Sequence, residues 1–258
     1  MSTILFPSPV FGPVHSRRLG VSLGINLLPA DGKVCSFDCI YCECGCNVER
    51  RTVSPLPSRD EIRAALEHTL KEMSESHTFP DVLTFAGNGE PTCHPHFPEI
   101  MDDTLYLRDT YCPEAKVSVF SNASFLSRPA VFAALDKADN NILKLDTIDE
   151  AYIRMVNRPS GNYSLPRIVE LLKAFHGKCI IQTMFLKGTF LGKDVNNATD
   201  KYVLPWLEMI KTIAPRQVMI YTIDRETPRQ GLYKASREEL DGILVLLTEV
   251  GIYATVSY

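Results

Sequence analysis

The sequence predicts an α/β protein built as an incomplete, open (β/α)6 barrel, and three observations lead there. Short apolar or β-branched runs alternate with stretches of helical periodicity along nearly the whole chain, the pattern of βαβ units around a parallel sheet. Six strand–helix units can be counted, followed by a possible seventh strand. A closed eight-fold barrel takes about 250 residues, and this chain of 258 devotes a long stretch to a cysteine-rich loop. No repeat, low-complexity tract or linker interrupts the pattern, so one domain over residues 1–258 is expected.

The elements follow in order. Residues 19–28 read as the first strand, closed by the turn residues Pro29-Ala30-Asp31-Gly32, and the cysteine loop comes next. Ser58-Arg59-Asp60-Glu61 has capping-box spacing. Ile62, Ala65, Leu66, Leu70 and Met73 then recur on one helical face. Residues 81–86 form a strand that runs into Gly87-Asn88-Gly89-Glu90-Pro91. A helix over about 96–110, a strand over 116–121, a short helix near 130–137 and a strand over 142–146 follow. Ile168, Leu171, Leu172 and Phe175 mark another helix, 179–185 a strand, 201–213 a helix and 217–222 a strand. Leu240, Ile243, Leu244, Leu247 and Val250 form a last amphipathic face before the terminal run 252–256.

In such folds the site lies at the C-terminal ends of the strands. There the sequence offers Gly89-Glu90, Ser121-Asn122, Lys144 with Asp146, Gln182 with Thr183, and Tyr221 with Asp224. Any one of these could be a helix cap; five in succession point to a site. Charge adds little, because 27 basic against 31 acidic residues give a net of −4 and no general attraction to nucleic acid. The basic clusters at 15–18, 50–51 and 225–229 matter only if the fold gathers Arg17, Arg18, Arg225 and Arg229 at one mouth. No apolar run approaches the ~20 residues of a membrane span, and the start of the chain lacks a basic n-region, so a cytoplasmic protein without a membrane partner is expected.

Cysteine placement is more informative. Five of the eight cysteines, Cys35, Cys39, Cys42, Cys44 and Cys46, fall within twelve residues, in a chain too long for a small disulfide scaffold. Dense thiols in a reducing compartment hold metal, whereas the isolated Cys93, Cys112 and Cys179 read as ordinary buried residues. Three and then two residues separate the thiols of Cys35-Ser36-Phe37-Asp38-Cys39-Ile40-Tyr41-Cys42. Loops this short can wrap three corners of an iron–sulfur cube. They can equally belong to a zinc site, with Cys44, Cys46 or a histidine as fourth ligand. Spacing alone leaves both open. The context favours the cube: the loop follows the first strand, and the next strand ends in glycines that let backbone approach a ligand. Glu90 there can accept from an ammonium group.

With those residues in place, the sequence resembles the radical S-adenosylmethionine (radical SAM) superfamily, whose CxxxCxxC motif carries an aromatic residue before its last cysteine. The likeness covers a core of about 12–231, leaving a short C-terminal helix and strand as an extension. Residues 12–20, the 35–45 loop and residues 220–225 are similar to a branch of Fe–S oxidoreductases grouped with tRNA wyosine synthases. The resemblance implies the TIM-like barrel of that family, with Cys35, Cys39 and Cys42 holding a [4Fe–4S] cluster whose fourth iron binds SAM. It implies that Gly87, Asn88, Gly89 and Glu90 take the SAM ammonium, with Asn88 a departure from the family's Gly-Gly-Glu. Ser121, Asn122, Lys144 and Asp146 would meet the SAM carboxylate or ribose, and Tyr41 the adenine.

The implied activity is reductive cleavage of SAM to a 5′-deoxyadenosyl radical, which abstracts hydrogen from a substrate. No residue is assigned to the substrate step, and a small molecule, a protein or an RNA all fit. An electron donor such as a flavodoxin or ferredoxin is implied as partner. Alternatives are a glycyl-radical-enzyme activase, a wyosine-like tRNA-modifying enzyme, and a non-enzymatic zinc-stabilised or electron-carrier module. Against the wyosine reading, residues 1–34 contain no cysteine for a second cluster. Cys44 and Cys46, with Cys93, are the remaining candidates for an auxiliary one.

Overall fold

The computed structural model describes residues 4–16 and 20–258. Val10–Ser16 (β1) pairs antiparallel with Gly20–Ile25 (β2). The chain then alternates through helix Arg59–Glu75 (α1), strand Val82–Phe85 (β3), helix Phe97–Tyr111 (α2) and strand Lys116–Ser121 (β4). Helix Pro129–Lys137 (α3) and strand Asn140–Lys144 (β5) follow. A short helix Glu150–Tyr152 (α4) runs into a π-helical turn, Ile153–Asn157, ahead of helix Leu165–Lys173 (α5). Strand Ile180–Met184 (β6) leads to a hairpin, Leu186–Phe190 (β7) and Lys193–Asp194 (β8), and to helix Asp200–Ile213 (α6). Strands Gln217–Tyr221 (β9) and Leu232–Lys234 (β10), helix Arg237–Glu249 (α7) and strand Ala254–Ser257 (β11) complete it.

The main sheet has the order β1-β2-β3-β4-β5-β6-β9-β11, and every pair from β2 to β11 is parallel. Its two end strands do not pair among the described residues, so the barrel stays open. Six strands, β2 to β6 and β9, form the incomplete (β/α)6 TIM-like barrel, and β11, after α7, pairs in parallel with β9. Among the described residues no helix is long and apolar enough to cross a membrane.

Local chemistry explains the helices. Ser58 caps α1: its Oγ accepts from the Glu61 amide and Glu61 accepts from the Ser58 amide. Such a cap contributes about 1 kcal/mol. Ile62, Leu66, Leu70 and Met73 are buried on the sheet-facing side. Ser236 and Glu239 repeat the device at α7. Along the strands, alternate residues separate two cores. Leu143, Ile181, Val218 and Ile220 join the large apolar layer under the helices, whereas Ile142, Ile180 and Met219 face inward as a small cluster with Phe120. The inner layer is thin because the barrel's upper end is a cavity.

Several elements depart from the sequence pattern. β1 contains Gly12-Pro13, which breaks alternation; a register shift between Phe11 and Val14 absorbs it, and proline is tolerated because the strand is an edge. Residues 186–194 and 232–234, polar in sequence, form a separate antiparallel ribbon, β10-β7-β8. The strand expected over residues 19–28 is β2, residues 20–25, preceded by an edge strand the pattern did not indicate, and its expected start, Leu19, lies outside the described residues together with Arg17 and Arg18. β5 sits two residues earlier than periodicity suggested, which frees Asp146 from the ladder.

Candidate active site

A cavity of about 350 Å³ opens at the C-terminal ends of the strands. Cys35, Cys39, Tyr41, Cys42, Gly87, Gly89, Glu90, Ser121, Asn122 and Lys144 all contribute to its wall, as do Phe6, Phe120, Gln182, Met184 and Tyr221. Residues from five strand ends and one loop are thus brought together. Asn88 and Asp146 lie behind this wall and are buried.

The cysteine loop is folded by its own polar residues and by the π-helical turn. Asp38 accepts from the Asn47 amide at 2.7 Å, and the Asn47 side-chain amide donates to the Cys35 and Phe37 carbonyls at 3.1 and 3.2 Å. The Ile40 amide donates to Val156 O and the Asp38 amide to Asn157 O. Ser160 donates to the Ser36 carbonyl from both its amide, at 2.7 Å, and its hydroxyl, at 2.9 Å. Periodicity cannot reveal a π turn, yet this one clamps the loop; such turns recur at functional sites.

Whether three thiols here suit an iron–sulfur cluster can be judged from the donors aimed at them. The Phe37 amide lies 3.4 Å from the Cys35 sulfur, the Asn122 side-chain amide 3.7 Å from the same atom, and the Asn157 side-chain amide 3.7 Å from the Cys39 sulfur. N–H groups directed at sulfur favour the thiolate form that iron requires. Burial pushes the Cys35 thiol up, and pushes Cys39 up to about 11, so both ask for a positive partner. Lys33 supplies one. Its side chain is 1% exposed, with Nζ 2.8 Å from Gly45 O and 3.9 Å from Asp38. Burial alone would lower its pKa, but Cys42, Cys35, Cys39 and Asp38 reverse the effect and raise it. The donor set fits a cluster. Among the described residues no three His, Cys, Asp or Glu side chains, the three thiols included, close on a single ion.

The glycine motif is held by unusual side-chain contacts. Gly87 and Gly89 have φ of +143° and +137°, and a Cβ on Gly89 would lie 2.0 Å from Val34 O. The Asn88 side chain turns away from the cavity. Its Nδ2 donates to Phe6 O at 2.9 Å and Pro29 O at 2.8 Å, and its Oδ1 accepts from the Phe6 amide at 2.7 Å. Asn26 donates to the Phe6 and Pro7 carbonyls. The segment of residues 4–9 is thereby strapped across the site, with Ile4 bonded to Glu43 O, and Phe6 forms part of the cavity wall.

Glu90 is 2% exposed, and four protein donors face its carboxylate. Oε1 accepts from Thr92 N (3.1 Å), Thr92 Oγ1 (2.5 Å) and Ser121 Oγ (2.8 Å), and Oε2 from Asn122 N (2.6 Å). Burial raises its pKa against those donors. It cross-links the ends of β3 and β4.

A second buried network joins Tyr41, Lys144, Asp146 and Asn157. The Tyr41 hydroxyl donates to Asp146, Lys144 Nζ donates to Tyr41 OH at 2.7 Å, and Lys144 is 3.1 Å from the Asp146 carboxylate. Asn157 donates to Asp146 at 2.7 Å and approaches Tyr41 OH at 3.0 Å. Burial disfavours the Lys144 charge, but Asp146 outweighs it and raises the pKa, so an ammonium faces the cavity.

The other polar candidates have structural partners. The Cys44 thiol approaches Gly87 O at 3.4 Å, and its hydrogen bond to Cys42 raises its pKa while lowering that of Cys42. Among the described residues neither Cys46 nor Cys93 belongs to a group of three metal-binding side chains. Arg225 pairs with Glu43 at 2.7 Å and Arg229 with Glu49 at 3.2 Å, so these cations brace the loop. His94 meets Pro57 O at 2.9 Å and accepts from the His96 amide. Sequence reasoning missed Lys33, Phe6, Asn26 and Asn157. A lysine two residues before the first clustered cysteine, and an asparagine ending a strand, were the available signals for Lys33 and Asn26.

Comparison with known proteins bears on this geometry. The radical SAM superfamily pattern matches residues 31–195. A UPF0026 protein of Methanocaldococcus jannaschii is 30% identical over 248 residues, covering 93% of this chain and 71% of the relative. Among solved structures, Streptococcus suis SuiB bound to S-adenosylmethionine superposes with a TM-score of 0.64 at 15% identity. That match covers 91% of this chain, which spans only 50% of SuiB's length. TYW1 with a lysine–pyruvate adduct bound gives a TM-score of 0.61 at 15% identity, over 90% of this chain and 75% of that one. At these identities the structural likeness concerns the fold.

Proposed function

This chain belongs to the radical SAM superfamily and is an enzyme of that class, and from that premise we propose that it cleaves SAM reductively at a [4Fe–4S] cluster held by Cys35, Cys39 and Cys42. The observation that carries the reading is the set of amide donors aimed at the Cys35 and Cys39 sulfurs, in a wall shared with the glycine motif and the Lys144 ammonium. When bound, cluster and SAM together supply one-electron carbon–sulfur cleavage and a 5′-deoxyadenosyl radical that takes hydrogen from a substrate.

The chain's own residues do the positioning. Lys33 offsets the negative charge of the thiolates from below the loop. Lys144, fixed by Asp146 and Tyr41, offers a cation suited to the carboxylate of SAM. Gly87 and Gly89 bring backbone close enough to meet its ammonium, and Ser121 and Asn122 are oriented through Glu90. The Tyr41 ring and Phe6 provide apolar faces for adenine and exclude water there. Gln182, Met184 and Tyr221 form the remaining wall, where the hydrogen donor would sit. The electron donor would be a flavodoxin or ferredoxin, in keeping with the family's need for one.

Anaerobic reconstitution with iron and sulfide, then dithionite and SAM, tests the reading. The expected result is four irons per chain and release of 5′-deoxyadenosine, both lost in Cys35→Ala. A Cys35→Ala protein that still releases 5′-deoxyadenosine refutes it.

A further inference from the structure

A second cavity, of about 370 Å³, adjoins the cysteine loop on another side. Its wall includes Ser36 from the loop, Ser124 and Arg128 from the β4–α3 connection, and Ser160, Ser164 and Arg167 from the segment entering α5. No carboxylate lines it, although the chain as a whole carries a net charge of −4. Among the described residues neither Arg128 nor Arg167 forms an ion pair. The Arg128 guanidinium instead lies 4.0 Å from the centre of the Phe125 ring, and both arginines are exposed at the rim. Two cations without counter-charges, above a floor of hydroxyl groups, select for carboxylates or phosphates.

The position of this cavity narrows the ligand. Ser36 directly follows Cys35, and its hydroxyl meets Ser124 Oγ at 2.7 Å and the Asn122 side-chain amide at 2.9 Å. The same Asn122 amide lies 3.7 Å from the Cys35 sulfur. The cavity floor is therefore one residue, or two hydrogen bonds, away from a proposed cluster ligand, on a face separate from the SAM cavity. A partner docked there needs negative charge and has a reason to be near the cluster.

We propose that this cavity docks an acidic electron-carrier protein of the flavodoxin class, whose surface carboxylates pair with Arg128 and Arg167 while its flavin faces the Cys35 edge. The inference rests on the radical SAM reading above. In the transfer, the anionic flavin hydroquinone becomes the neutral semiquinone, and its one electron lowers the cluster charge by one. The exposed rim suits carboxylates presented by a convex protein surface, and opposite charges speed such encounters.

The test uses reconstituted holoenzyme with SAM and compares 5′-deoxyadenosine formation driven by reduced flavodoxin with that driven by dithionite. In the double variant Arg128→Glu/Arg167→Glu, the flavodoxin-driven rate should fall about tenfold or more, and the dithionite-driven rate should stay within about twofold. Arg128→Lys/Arg167→Lys should recover most of the loss. The wild-type flavodoxin rate should fall as ionic strength rises from about 0.05 to about 0.5 M. Equal loss with both reductants, or an unchanged flavodoxin rate, overturns the docking proposal. So does inorganic phosphate that binds the cavity without slowing flavodoxin. Absence of 5′-deoxyadenosine with dithionite in the wild type overturns the underlying reading, and the docking proposal falls with it.

Discussion

Replacing Glu90 with glutamine separates two roles that the residue could have, a cross-link between strands and a ligand for SAM. In Glu90→Gln the retained oxygen can keep Thr92 and Ser121, but the new NH2 then faces the Asn122 amide, whose bond to the carboxylate is 2.6 Å. One charge-assisted hydrogen bond is lost and a buried donor is stranded, and relief of the buried charge offsets part of this. The net cost is about 2–4 kcal/mol, a large fraction of the 5–15 kcal/mol typical of a folded domain, roughly speaking. The sign of the pH dependence is also set. Burial raises the folded pKa above 4.5, so the folded state holds the proton longer than the unfolded one. Stability from this group is therefore greatest below 4.5 and declines as pH rises from there through the folded value. Glu90→Gln lacks that decline, so the wild type's advantage should narrow as pH rises through the window. Urea denaturation of the metal-free protein, followed by circular dichroism at several pH values, measures both effects. A cost under about 0.5 kcal/mol, within the range of ordinary surface changes, together with weakened SAM affinity in reconstituted protein, refutes the cross-link account.

Asn88→Gly restores the family's glycine but removes three hydrogen bonds to Phe6 and Pro29. We expect about 2–3 kcal/mol of destabilisation by chemical denaturation, and faster amide exchange in residues 4–9. Gly89→Ala forces a Cβ to within 2.0 Å of Val34 O at φ +137°, so cluster incorporation, measured as iron per chain, should fall at least several-fold even where the protein folds. Arg59 and then Arg63 hold the Asp103 carboxyl below its usual range, with bonds of 2.6 Å from each. That contribution is present above the unfolded pKa and lost as pH falls through the folded one. Asp103→Asn should therefore cost about 1–3 kcal/mol at pH 7 and progressively less below about pH 4, as read from thermal unfolding.

Elements whose evidence is local were legible in the sequence. The Ser58–Glu61 box fixed the start of α1, and the apolar runs named all six barrel strands to within a few residues. Cysteine spacing and strand-end polarity brought out most of the residues that line the cavity. What stayed hidden depends on partners distant in sequence. Lys33 looks like any loop lysine until three thiols and Asp38 surround it. Asn157 acquires its meaning from a π turn that no periodicity encodes, and Phe6 from asparagines 20 and 82 residues away. Asn88 stands out in sequence only as a departure from Gly-Gly-Glu; the three hydrogen bonds of its side chain depend on Phe6 and Pro29, 82 and 59 residues away. The ribbon β7-β8-β10 was hidden by polar residues in strands that form no part of the main core.

The strap of residues 4–9 also imposes an order of events during synthesis. Phe6 leaves the ribosome early, but its anchor Asn88 is made 82 residues later. At typical elongation speeds of 5–20 residues per second, that is a wait of roughly 4–16 s, during which an aromatic segment has no seat. Residues 4–9 thus cannot settle before residue 88 has been made, and a chaperone that occupies them in that interval competes directly with completion of the cavity wall.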